Sequence, residues 1–124
     1  MNAIGTHILL ELQDCNPQLL DDLEFVRKAL EEAALAVGAT IVGQSFHKFE
    51  PQGVTGILAI AESHISIHTW PEYGYAAVDV FTCGKSFSPR KAAELLVGRF
   101  DAGRHLLREF QRGPLTELAA VATS

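Results

Sequence analysis

Between Glu62 and Tyr75 the chain reads Glu62-Ser63-His64-Ile65-Ser66-Ile67-His68-Thr69-Trp70-Pro71-Glu72-Tyr73-Gly74-Tyr75, which carries more hydroxyl, imidazole, carboxylate and aromatic groups than a plain strand requires. Ser63, His68 and Cys83 have the types needed for a nucleophile, a general base and a second thiol, although such a trio occurs in many sequences without joint chemistry. Alternation constrains them. On a regular strand His64, Ser66 and His68 share one face and Ser63 points to the other, so Ser63 and His68 meet only if the chain bends near Ser63. His64, His68 and Cys83 also have metal-ligand types but lack the tight spacing of a typical zinc site, and no metal is expected. His7, His47 and His105 stand singly and are given no role, while His64 is expected at most to orient the segment.

These residues must be held by the elements around them. Ile4 to Leu12 has a strand-like mixture of apolar and polar residues, and Asn16-Pro17 supplies a cap followed by proline at a first helical position. From there Leu19, Leu23, Val26, Leu30, Ala33 and Val37 recur at steps of four and three, which predicts one helix ending at Gly38, with Asp21, Asp22 and Glu24 near its positive end. Thr40 to Phe49 and Val54 to Ala61 are predicted strands that pair across the Pro51-Gln52-Gly53 turn. Ile65 to Trp70 and Tyr75 to Thr82 are two more, separated by Pro71-Glu72-Tyr73-Gly74. Ser88-Pro89 opens a second helix that turns Ala92, Ala93, Leu95, Leu96 and Phe100 inward, with Gly103 closing that region. Arg104 to Gln111 is predicted as the last strand, and the tail after Gly113 has no strong pattern and is expected to be mobile at its end.

This order predicts an α+β fold: a two-layer sandwich, a mostly antiparallel sheet with two main helices on one face. Ile57, Ile60, Ile65 and Ile67 imply that the second face is not simply solvated, and a homodimer is expected to cover it. The 124 residues, 48% of them hydrophobic, suit one domain with a real core. Lys and Arg total 10 against 15 Asp and Glu, a net charge of −5, and the basic residues are scattered, which argues against a nucleic-acid partner. No stretch approaches the roughly 20 apolar residues that cross a bilayer, and Met1 to Thr6 has no leader-like pattern, so a soluble, cytoplasmic protein is expected. Cys15 and Cys83 are too few for a secreted disulfide scaffold, and reduced thiols are the default.

The run Glu62 to Gly74, followed by Ala76-Ala77-Val78-Asp79-Val80-Phe81-Thr82-Cys83-Gly84, resembles the signature of the short prokaryotic S-adenosylmethionine decarboxylases, which are self-processing pyruvoyl enzymes. Gly5-Thr6-His7, Gly38-Ala39-Thr40-Ile41-Val42, Phe46-His47-Lys48-Phe49 and Gly53-Val54-Thr55-Gly56 extend the resemblance, which thins after about Pro89. It implies that the Ser63 hydroxyl attacks the carbonyl carbon of Glu62 and exchanges the amide for an ester, with Thr55 steadying the oxyanion. It makes His68 the base for the β-elimination that follows. Residues 1–62 then keep a normal carboxyl end, and residues 63–124 begin with dehydroalanine, which hydrolyses to pyruvoyl and ammonia. The pyruvoyl ketone forms a Schiff base with S-adenosylmethionine and draws the electrons released with carbon dioxide. The product is the aminopropyl donor for spermidine synthesis. By the same resemblance Cys83 is the proton donor, Phe49 and Trp70 stack the adenine ring, and Glu72 accepts hydrogen bonds from the ribose hydroxyls. The family's sites lie at a dimer interface.

Other readings compete. Phe49 and Trp70 are, in an arbitrary protein, more often core residues, Cys83 a small buried apolar one, and Thr55 an ordinary strand residue. A pyruvoyl decarboxylase of ornithine or arginine would share the chemistry at Ser63 but would not need Phe49, Trp70 and Glu72 together. A non-catalytic partner subunit of the same fold would not need Ser63, His68 and Cys83 intact.

Overall fold

Asn16 and Pro17 begin a helix as expected, the Asn16 side chain accepting the Gln18 N–H at 2.9 Å, but α1 (Pro17–Leu20) lasts a single turn. Asp22 takes the extended conformation of a cap and accepts the Phe25 N–H at 3.1 Å, so a second helix, α2 (Leu23–Ala36), starts where one continuous helix was expected. The apolar spacing spans both pieces because Leu20, Val26, Leu30 and Ala33 still reach one core. Gly38, at φ 81°, ends α2. This computed structural model describes residues 3–83 and 87–114, and the expectation for the tail lies outside them.

The strands are β1 (Ala3–Gln13), β2 (Thr40–Lys48), β3 (Val54–Ala61), β4 (Ser63–Trp70), β5 (Tyr75–Cys83) and β6 (Arg104–Pro114). They form one sheet in the order β2-β3-β4-β5-β1-β6, every neighbouring pair antiparallel. Helix α3 (Pro89–Arg99), capped by Ser88, lies beside α2 over one face, with Phe25 edge-on to Phe100 at 5.5 Å. The fold is therefore the expected two-layer α+β sandwich. Leu95 is 37% exposed, whereas Ala92, Ala93, Leu96 and Phe100 are buried. β4 begins at Ser63 instead of Ile65, and β6 runs on to Pro114.

Alternation sorts the two faces. Ile8, Leu10, Leu12, Leu58, Ile60, Ile65, Ile67, Val78 and Val80 pack beneath the helices. Ile60, Ile65 and Ile67 thus belong to the ordinary core, and of the residues that suggested a covered second face only Ile57 points there. That open face nevertheless carries Leu9, Ile57, Trp70, Leu106 and Phe110, each more than a third exposed. Close backbone approach needs glycine at Gly56, where a Cβ would sit 2.2 Å from the Phe46 ring packed over it. No helix among the described residues is long and apolar enough to cross a membrane.

Candidate active site

β3 reverses into β4 through Glu62, which leaves Ser63 at the start of β4 with Ile60 opposite on one side and Thr82 on the other. The Ser63 hydroxyl donates to the Glu62 carbonyl oxygen and accepts the Cys83 N–H at 3.0 Å. The oxygen therefore lies against the carbonyl that it would attack, with a lone pair fixed by the end of β5. Ser63 and Cys83, far apart in sequence, are brought together by the β4–β5 register. Cys83 is half-buried and reduced.

The opposite end of β4 forms a second locus. Thr55 and His68 face each other across β3 and β4, with Thr55 Oγ1 3.0 Å from His68 Nδ1. An open cavity of about 260 Å³ beside them is lined by Phe49, Gln52, Gly53, Thr55, His68, Thr69, Trp70 and Glu72. Phe49 and Trp70 are 45% and 39% exposed, so they are not core residues, and Glu72 projects from the 3₁₀ turn Pro71–Tyr73. Aromatic faces and a carboxylate on one rim suit a flat base and the hydroxyls of a sugar.

The chain matches the family model described as S-adenosylmethionine decarboxylase over residues 6–113. The chain belongs to the S-adenosylmethionine decarboxylase family. It is 50% identical over 113 residues to the S-adenosylmethionine decarboxylase proenzyme of Thermodesulfovibrio yellowstonii, covering 91% of this chain and 84% of that one. Over 109 residues it is 55% identical to the proenzyme of the same description from Parasynechococcus marenigrum, covering 88% and 85%. Its fold is similar to the crystal structure of the adenosylmethionine decarboxylase from Aquifex aeolicus, at 34% identity and a TM-score of 0.85, over 91% of this chain and 93% of that one.

In this S-adenosylmethionine decarboxylase-family chain one expected juxtaposition does not form within a single protomer. β4 pairs with β5 without a break from Ser63 to Trp70, so five regular residues, about 16 Å, separate Ser63 from His68. The bend that was to bring them together lies before Ser63, in the turn at Glu62, and leaves their alternation unchanged. His64, His68 and Cys83 likewise do not converge. His64 stacks on Phe81 at 5.8 Å, and no potential metal-holding group of three or more His, Cys, Asp or Glu is found among the described residues.

Other side chains around the site were not singled out from sequence. Tyr75 stacks on Trp70 at 5.3 Å and donates to Glu11; burial, then that carboxylate, raises its phenol to about 12. His47 meets the Phe49 ring edge-on at 4.5 Å. The signal for both was parity: Trp70 and Tyr75 flank the Pro71–Gly74 turn as register partners, and His47 precedes Phe49 by two. Thr69, on the helix side, accepts the Val54 N–H and donates to the Leu20 carbonyl, both at 2.8 Å, which ties α1 to the cavity's floor. On the open face Arg112 donates to His7 Nδ1 at 2.9 Å. His7 must then carry its proton on Nε2, which donates to Asp79 at 3.1 Å, and Asp79 accepts from Ser66.

Proposed function

We propose that the chain is a self-processing S-adenosylmethionine decarboxylase of the cytoplasm, cleaved between Glu62 and Ser63, that works as a homodimer with sites shared between protomers. The carrying observation is the Ser63 hydroxyl lodged between the Glu62 carbonyl and the Cys83 N–H. Attack of Oγ on the Glu62 carbonyl carbon forms a C–O bond and breaks C–N to give an ester. Loss of the Ser63 α-proton to a base then expels the Glu62 carboxylate, and hydrolysis of the dehydroalanine releases ammonia. These residues fit the making of a pyruvoyl group, which supplies an electrophilic carbonyl and an electron sink for loss of carbon dioxide. Cys83, whose N–H meets Ser63 Oγ, would return the proton to the α-carbon.

The dimer follows from the separation along β4. Stacking two open faces with the strands running oppositely sets the Ser63 end of one β4 over the His68 and Trp70 end of the other. That arrangement would cover Leu9, Ile57, Leu106 and Phe110 and bring a partner's base toward the Ser63 backbone from the open side of the sheet. Phe49 and Trp70 would clamp adenine and face the sulfonium, and Glu72 would hold the ribose. The aromatic rings and carboxylate that line the cavity favour S-adenosylmethionine over ornithine or arginine.

A denaturing gel and intact mass of the freshly expressed protein test the proposal. The expected result is two fragments, 1–62 and 63–124, the second with a blocked amino end, and a single uncleaved chain for Ser63→Ala. Unchanged protein that stays whole on prolonged incubation would overturn the reading.

A further inference from the structure

Thr82 is 1% exposed, and its hydroxyl has no hydrogen-bond partner among the described residues. On the helix side of the sheet Val80 and Ile65 beside it are fully buried, and Thr6, the β1 residue opposite, does not bond to it. A buried hydroxyl without a partner is a net cost that valine, of the same shape, would avoid. Ser63 lies directly across β4–β5 from Thr82 and on the same side of the sheet. Side chains so opposed have Cβ atoms about 5 Å apart, within reach of one hydroxyl for the other. The next residue, Cys83, already directs its N–H at Ser63 Oγ.

We propose that the Thr82 hydroxyl and the Cys83 N–H form a two-donor cradle for the Ser63 oxygen as it becomes the leaving group of the cleavage. The inference rests on the self-processing reading. In the elimination a base takes the Ser63 α-proton, the electron pair forms the Cα=Cβ bond, and the Cβ–Oγ bond breaks. Oγ departs as one oxygen of the Glu62 carboxylate, bearing the developing negative charge. A donor without a partner among the described residues gains one at that moment, so its bond is stronger in the transition state than before it.

The test is Thr82→Val beside Thr82→Ser. Thr82→Val removes the hydroxyl at constant shape and should slow cleavage on the order of 100-fold, the usual loss for one such donor. The stalled protein should accumulate ester, cut by hydroxylamine at 62/63, while Thr82→Ser cleaves at close to the unchanged rate. In the uncleavable Ser63→Ala background, Thr82→Val should leave the melting temperature level or raise it. Cleavage of Thr82→Val within twofold of the unchanged chain overturns the inference, as does a drop of several degrees in that background, which would make Thr82 a structural residue. Unchanged protein that never cleaves defeats the self-processing reading itself, and this inference with it.

Discussion

Trp70 lines the cavity and stacks on Tyr75, while Ser63 and its oxygen's partners lie at the other end of the same strand, so single substitutions can separate the proposed binding from the proposed processing. Trp70→Ala should still cleave itself yet raise KM for S-adenosylmethionine by about tenfold or more, equivalent to about 1.4 kcal/mol; unchanged turnover would remove the nucleoside assignment. The Cys15 thiol should be unreactive in the folded protein. Burial, and then the charges of Asp14 and Asp101, push the Cys15 thiol up to about 11, so at pH 8 its reactive thiolate is on the order of one part in a thousand. Iodoacetamide followed by peptide mass analysis should leave Cys15 unmodified in native protein at that pH and label it once the protein is unfolded. The candidate residues that line the cavity and flank Ser63 were named from the sequence through the family resemblance, Phe49 and Thr55 upstream of the run Glu62 to Gly84 included. Thr82 was not, because a hydroxyl that lacks a partner looks in sequence like any β-branched strand residue.

The junction of α1 and α2 shows why element boundaries were less legible than element types. Aspartates 21 and 22 both suit the first turn of a helix, but Asp22 caps α2 while Asp21 leaves the helix to accept the Gly53 N–H at 2.8 Å. A contact across 32 residues leaves no periodic trace in sequence. The Gly53 N–H, and after it Lys48, lowers the Asp21 pKa. With its side chain 35% exposed, the Lys48 pair is screened and adds little. Asp21→Ala should cost about 1 kcal/mol at neutral pH, the worth of the backbone hydrogen bond. Because the folded carboxylate has the lower pKa, this contribution is full above the ordinary value of 3.8 and fades as acid carries the protein through the folded one. Melting curves of the two proteins from pH 7 to pH 3 should therefore converge at the acid end. Gly53 lines the cavity, so the substitution also loosens one of its walls.

The homodimer is expected from strand periodicity, and that ground needs correction. Ile60, Ile65 and Ile67 proved to be core, yet the open face is still apolar through β1 and β6, whose pairing across 100 or so residues no local pattern reveals. Under the proposed processing, the separation of Ser63 from His68 asks a second protomer for the base. Ser63→Ala and His68→Ala should each remain whole when made alone. Made together, mixed dimers should cleave the His68→Ala chain, which keeps its serine and borrows the partner's imidazole, and leave the Ser63→Ala chain intact. Absence of any cleavage in the mixture would rule out shared sites. Cleavage at 62/63 has a further consequence through the strand order. The first fragment would own β1, β2 and β3 and the second β4, β5 and β6, yet β1 lies between β5 and β6. The halves would meet along the seams β3–β4, β5–β1 and β1–β6, with β1 clasped between two strands of the second fragment and the β4–β5 pair between two strands of the first. Breaking the peptide would thus leave two polypeptides that cannot part without dismantling the sheet, and maturation would be a change of covalent structure at nearly constant architecture.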